Sequence, residues 1–433
     1  MIKNRFSKFV LVSAKYWLYF CIHLVKFIMK RTIFFTFFFF LWVLPSRGQY
    51  IKSIQLNPLS EKHFSVIIPL GSGIQLSFDD LEADNKEYQY KIEHMTWDWK
   101  KSKLLPNQYI EGFNQGSIIN NTNSFNTLQN YTHYYVRFPN KQTRIKLSGN
   151  YLLSVLDEYE DIIFTRKFTL YENNAIVGVN VMESRNTKTV NQQQTVQFII
   201  NHPNININLP SKEIKVIILQ NEVWQTAIKN IQPTFFKPQQ LVYLHFLKTN
   251  FWGGNEYLNF DNKILRNKSL NIVKITKNDV YHHYLYPYQY KNFKAYQYNP
   301  DINGQFLIRT LEGTIAETEA DYVEMHFSLE VNTPFNEDIY VYGAFNNFEL
   351  NDENKLIYNY KTNTYKTSIL LKQGFYNYTF VSKNSKNQIN IGKIRGNFSS
   401  TENKYTVLVY YRPFGGLYDR VIGVGTTFFD GER

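Results

Sequence analysis

Short runs of alternating apolar and polar residues recur along the chain, separated by clusters of Gly, Asn, Asp and Pro. A period of two puts successive side chains on opposite faces of an extended strand, so these runs predict strands with one face buried. Between Gln49 and Glu172 they stand at Ile51 to Leu56, His63 to Pro69, Ile74 to Phe78, Tyr88 to Met95, Tyr134 to Phe138, Gly149 to Leu156 and Ile162 to Leu170. Their rhythm is that of a β-sandwich. Tyr88, Tyr90, Ile92 and His94 share one face of their strand, and Trp97 and Trp99 follow as core or edge packing where it turns away. The expected fold class is all-β, a tandem of immunoglobulin-like or fibronectin-like β-sandwich domains.

The pattern continues through a second sandwich over 173–313 and a third over 314–433. In the second, strands are expected at Thr195 to Ile200, Glu213 to Gln220 and Leu241 to Phe246. The following Phe251-Trp-Gly-Gly segment has two glycines that permit a sharp exposed turn, which makes Phe251 and Trp252 candidate partner contacts or, equally, a turn folded onto the core. Asn303-Gly304 ahead of an alternating run predicts a hairpin.

In the third unit, a strand ending in Gly343-Ala-Phe-Asn-Asn-Phe and the later Gly374-Phe-Tyr-Asn-Tyr-Thr-Phe resemble the glycogen-binding type of immunoglobulin-like module. Phe348 stands where that module carries a sugar-stacking tryptophan. The likeness therefore supports the fold more than carbohydrate binding.

Composition agrees with the strands: 33 Tyr and 35 Phe against 5 Met and 20 Gly favour pleated surfaces over helices. The net charge of +12 points to nucleic acid only until its location is read. Eight of the 48 basic residues lie in the first 48 positions, which hold no acidic residue, leaving 40 basic against 36 acidic residues in the body. No basic stripe with interleaved aromatics remains, and nucleic acid is not an expected partner.

That amino-terminal segment reads as an export signal. Met29-Lys-Arg is followed by an apolar run from Ile33 to Leu44 and by Pro-Ser-Arg-Gly, so cleavage is expected between Gly48 and Gln49, with translation starting at Met29. The run is shorter than the ~20 residues a membrane-spanning helix needs. Cys21 is the single cysteine and falls inside residues 1–48, which leaves the mature chain without a disulfide or a thiol nucleophile.

Motifs for common chemistries are absent: no Walker loop, dinucleotide fingerprint, Gly-x-Ser-x-Gly elbow or His-Glu-x-x-His occurs. His282 and His283 are adjacent in an extended segment and point to opposite faces, which argues against a shared metal. Asp79-Asp80, and Glu317 with Glu319, have the residue type of an acid/base pair and equally that of solvated turns. No catalytic, cofactor or metal residue is expected, nor a small-molecule substrate.

Several motifs occur in a fixed order: Tyr88-x-Tyr-x-Ile-x-His, Asp98-Trp99, Gly112-Phe113, Asn130-Tyr-Thr-His-Tyr, Leu147-Ser-Gly-Asn-Tyr-Leu-Leu, Tyr298-Asn-Pro-Asp-Ile-Asn-Gly and Lys372-Gln-Gly-Phe-Tyr-Asn-Tyr. Together they resemble the plug protein family of the Bacteroidetes type IX secretion system. The resemblance implies a non-enzymatic periplasmic protein, peripheral to the inner face of the outer membrane. Its implied partner is the large outer-membrane translocon β-barrel, whose periplasmic opening it closes when no substrate is inside. The alternatives are an exported carbohydrate-binding sandwich protein and a glycoside hydrolase accessory. Intact mass of the native protein should begin at Gln49; a chain that begins upstream of Met29 would refute the signal assignment.

Overall fold

The computed structural model describes residues 50–60, 64–292 and 294–431. The expected leader over 1–48, with Gly48 and Gln49 at its cleavage site, lies outside the described residues. Among the described residues strand dominates, and each helix is a single turn of three or four residues. The all-β reading holds.

The first sandwich faces two antiparallel-rich sheets. One is ordered Ile51–Pro58, Ile74–Asp80, Thr132–Phe138, Asn120–Asn123; the other runs Ile67–Pro69, Ile162–Tyr171, Gly149–Leu156, Tyr88–Met95, Gln115–Ile118. Leu76, Phe78, Tyr90, Ile92, Tyr134, Tyr151 and Leu153 fill the space between them with almost no exposure. Tyr88, Tyr90, Ile92 and His94 do share the buried face. Aromatic pairs order this core: Phe78 stacks on Tyr134 at 5.2 Å and meets Tyr88 edge-on at 5.3 Å.

The second sandwich is not closed by consecutive chain. Its first sheet holds Ile176–Glu183, Gln193–Asn201, Gln240–Tyr243 and Phe235–Lys237, with Asn250–Trp252 also paired to the second of these. Its second sheet joins Ile228–Lys229 and Ile214–Gln220 to Asn403–Tyr411 and Arg420–Phe429, with Ile214 opposite Tyr411 and Gln220 opposite Tyr405. The eleven-stranded sheet of the third unit is inserted between Trp252 and Asn403, begins at Leu258–Asp261, and includes Gly374–Lys383, Asp338–Tyr342, Tyr322–Glu330 and Ile272–Lys277. It folds around Phe260, Phe327, Val341, Tyr376 and Phe380.

The expected boundary between 313 and 314 is therefore corrected. Strands from 258 to 308 pair into the third sheet, and the last two strands return to the second sandwich. Alternation identifies a strand's buried face and says nothing about its partner, which is why the return was not foreseen.

The returning strands complete a wall buried on both sides. Val216, Ile218, Val407 and Val409 point into the second sandwich. Ile217, Leu219, Leu408, Tyr410 and Val421 point the other way, against Ile67, Trp97 and Tyr171 of the first. A sheet covered on both faces reads as a near-continuous apolar run, as Thr406-Val-Leu-Val-Tyr does. Polar pins cross the same boundary: Tyr410 donates to Asn150 Oδ1 at 2.8 Å, and Arg420 bonds Glu172 at 2.5 Å.

The turn at Asn303-Gly304 forms, with φ of +53° and +79°, but it does not close a hairpin. Phe306–Ile308 pairs with the strand beginning at Gly374, and no strand precedes the turn between 294 and 302. Asp301 and Asn377 fix the turn instead, accepting the amides of Asn303 and Ile302 at 2.6 Å each.

At the boundary of the first two sandwiches, His94 is enclosed by the rings of Tyr109, Tyr151 and Tyr418 at 5.7, 5.1 and 5.6 Å. Gly149 lies against it with φ of +149°, and any Cβ there would strike the imidazole. Burial pushes the His94 imidazole down to about 4, against smaller upward pulls from the Ser148 backbone and Asp419. The folded chain thus holds this ring neutral, whereas the unfolded chain protonates it near its ordinary value of 6.5. Stability contributed by the neutral ring is full above that value and declines as pH falls from about 6.5 towards 4, by about 3 kcal/mol. Urea unfolding of wild type and His94→Phe across this window should show the slope in wild type and its loss in the variant; parallel curves would refute it.

Candidate functional site

Asp79 and Asp80 are neither an acid/base pair nor a solvated turn; both are fully buried. They close the strand Ile74–Asp80, where alternation sends them to opposite faces. Asp79 faces the third unit. Its Oδ2 accepts Lys372 Nζ at 2.6 Å and the Tyr322 hydroxyl at 2.7 Å, and its Oδ1 meets His133 Nδ1 at 2.6 Å. The Lys372 ammonium is itself saturated: it also donates to Glu317 O at 2.6 Å and sits 4.0 Å from the centre of the Tyr131 ring.

Around this pair, Tyr131 donates to Ala320 O at 2.7 Å, and Asp321 accepts the backbone amides of Leu128 and Gln129. Burial by itself would raise the Asp79 carboxyl, but Lys372 and the His133 bond overcome it and hold the group below its ordinary value. The result is a charged weld between the first sandwich and the third sheet.

Asp80, Glu82 and Asp84 bring carboxylate oxygens within 4.8 Å of one another. The Lys86 ammonium occupies their centre, 3.0 Å from Asp80 and 3.3 Å from Asp84, and also bonds Glu82. An ammonium thus already stands among the three carboxylates where a cation would sit. Glu319 caps its helical turn, accepting the Ile315 amide at 3.2 Å, while Glu317 points to solvent.

The two adjacent histidines separate as expected. His282 Nδ1 meets His326 Nε2 at 3.0 Å, and His283 Nε2 bonds Leu265 O at 2.9 Å. His326, which sequence reasoning did not single out, is brought in by parallel pairing of Tyr281–Leu285 with Tyr322–Glu330.

Of the two candidate contacts, only Trp252 is accessible, at 45% exposure; Phe251 is buried, with its ring 5.4 Å from Tyr405. The glycines that follow serve close packing, not an exposed tip. Gly253 O accepts Asn403 Nδ2 at 2.9 Å, Gly254 O accepts the Phe398 amide at 2.9 Å, and a Cβ at 253 would overlap Phe398 O. Phe348, the position of the sugar-stacking aromatic, is buried against Tyr342 and Val223. No sugar can stack there.

An exposed aromatic edge was missed by the reading of the sequence. Phe235 and Phe236 form the outermost strand of the first sheet of the second sandwich, and Phe246 and Leu247 stand exposed on the nearby loop. The signal was present: paired phenylalanines break alternation, and Pro233 and Pro238 bracket them as they bracket short edge strands.

The family model described as "Type 9 secretion system plug protein 1st domain" matches residues 51–172. A hypothetical protein from Parabacteroides merdae ATCC 43184, known from a crystal structure at 2.30 Å resolution, is 32% identical with a TM-score of 0.84, over 88% of this chain and 97% of that one. A comparison with curated proteins gives no match.

Breaking the weld from one side should be costly. Lys372→Met leaves Asp79 buried without its cation and is expected to lower unfolding stability in urea at pH 7 by about 3–5 kcal/mol. Adding Asp79→Asn should recover part of that loss. A single-variant loss below about 1 kcal/mol, the range of exposed pairs, would show that the pair is not a weld.

Proposed function

Since the chain belongs to the type 9 secretion system plug protein family, we propose that it is the periplasmic stopper of that system, seated against the mouth of the outer-membrane translocon barrel and closing it when no substrate is inside. The observation that carries this reading is the family match over the first sandwich, joined to a relative that shares nearly the whole fold. The chemistry of the molecule is compatible with it. A stopper needs a body that resists distortion, and 50–433 form one compact unit crossed by a two-faced sheet and a buried ion pair. It also needs a contact surface that releases. We assign that contact to the edge carrying Phe235, Phe236, Phe246 and Leu247, with Trp252 exposed on a separate short strand of the same sheet, because accessible aromatics are enriched where interfaces bind.

The role is positional and not catalytic, and its site is the periplasmic side of the outer membrane. Among the described residues no helix is long and apolar enough to cross a membrane. The carbohydrate-binding alternative gains no support at the module's sugar-stacking position, where Phe348 already departs from the tryptophan and is buried.

The test is a deletion strain scored for two things together. Secretion through the system should continue, while the outer membrane becomes permeable to vancomycin-sized antibiotics. The leak should disappear when the barrel gene is also deleted, because there is then nothing to close. Complementation with a Phe235→Ser, Phe236→Ser variant should restore protein level without restoring the seal. Unchanged permeability in a strain that still makes the barrel would refute the proposal.

A further inference from the structure

All three units contribute to one cleft of about 200 Å³. The first supplies Gln55, Arg166 and Lys167, the second Trp224 and Gln225, the third Phe306. Its charges are unevenly satisfied. Glu222 is paired with Lys404 at 2.5 Å, and Glu349 accepts the Asn347 side-chain amide at 2.6 Å, so both acidic groups of the lining already have partners. The cations differ. Among the described residues the Arg166 guanidinium makes one hydrogen bond, to the neighbouring Thr165 carbonyl at 2.9 Å, and rests 5.5 Å from the Phe164 ring. Lys167 lies over the Trp99 ring at 4.8 Å, and Trp99 in turn meets Trp224 edge-on at 4.8 Å. Neither cation has a carboxylate within ion-pair distance among the described residues.

We propose that this cleft is a binding site for a peptide carboxylate, held by the Arg166 fork beside an aromatic floor of Trp224 and Phe306, with Lys167, on the opposite face of the same strand, adding positive charge at the rim. A guanidinium offers five donors in a planar fork that matches a carboxylate, and the four that have no protein acceptor among the described residues open to solvent in the cleft, where a ligand can take them. Burial pushes Arg166 down to about 10, with Glu349 pulling weakly the other way, which fits a cation short of partners. Burial and Lys229 also lower Lys167. The volume admits one side chain or one chain terminus and excludes a folded domain. The edge assigned to the barrel is not part of the lining, so the cleft stands independently of the sealing role.

The test uses the purified protein and three small probes: N-acetylphenylalanine, whose carboxylate is a chain terminus; N-acetylglutamic acid α-amide, whose carboxylate is a side chain; and N-acetylphenylalanine amide as the uncharged control. Titration calorimetry and tryptophan fluorescence report binding. At least one acid should bind about tenfold or more tightly than the amide, and which of the two does so identifies the source of the carboxylate. Arg166→Gln should erase that difference without lowering the melting temperature, because it removes a cation that the fold leaves without a carboxylate; Lys167→Gln should weaken it and reduce its salt dependence. A melting temperature that falls in Arg166→Gln while acid binding persists would make the residue structural and overturn the proposal. So would equal binding of acids and amide, or no binding of either acid.

Discussion

Two full charges, Asp79 and Lys372, are removed from water where the first sandwich meets the third sheet, and the architecture around them follows from that constraint. A carboxylate and an ammonium at this depth are tolerable only if every remaining valence is met, which requires Tyr322, His133, Tyr131 and the Glu317 carbonyl to arrive in one geometry. With Asp79 and Lys372 themselves, the cluster draws on four segments separated by up to 293 positions along the chain. Apolar packing of the same volume would bring the two units together as strongly. It would leave them free to slide. The charged cluster fixes orientation, because displacement by even a bond length leaves a buried ion unpartnered.

A second constraint has a different character. The wall formed by Ile214–Gln220, Asn403–Tyr411 and Arg420–Phe429 is apolar on both faces and belongs to two cores at once. Ion pair and wall therefore act on different boundaries. The wall supplies burial between the first and second sandwiches, and the weld supplies register between the first and third. The cleft holding Arg166 is the place where these packings meet imperfectly, and it is lined by all three units because none fills the corner alone.

Strands, fold class and buried faces were legible in the sequence because they depend on alternation and composition, which are local. The strand Tyr88–Met95 and those of 322–383 lie almost where the pattern placed them. Partners were not legible. Thr406-Val-Leu-Val-Tyr could be read as strongly buried, yet nothing in it specifies pairing with Ile214–Gln220, and a domain boundary drawn at 313 follows from assuming that neighbours in sequence are neighbours in the sheet. Asp79 illustrates the same limit at the level of one residue. Its neighbourhood reads as an acidic turn, and only contacts from 133, 322 and 372 convert it into a weld. Phe251 and Trp252 show it again: the glycines beside them suggested freedom, whereas they permit close approach of Phe398 and Asn403.

The insertion of the third sheet between Trp252 and Asn403 also has a meaning in time. A chain made from its amino terminus exposes one half of the second sandwich, with Phe198, Ile200, Val216 and Ile218 lacking part of their cover, throughout synthesis of the inserted sheet. Closure waits for Asn403–Tyr411, so the contacts completing the interior are among the most distant in sequence, and loop closure of that length slows folding. Throughout that interval the half-built sandwich presents open strand edges of the kind that capture other chains. The molecule thus has a vulnerable youth and a rigid maturity: the strands that finish it are also those that hide its stickiest surface, and possession of the last about 30 residues separates an aggregation-prone intermediate from a finished part.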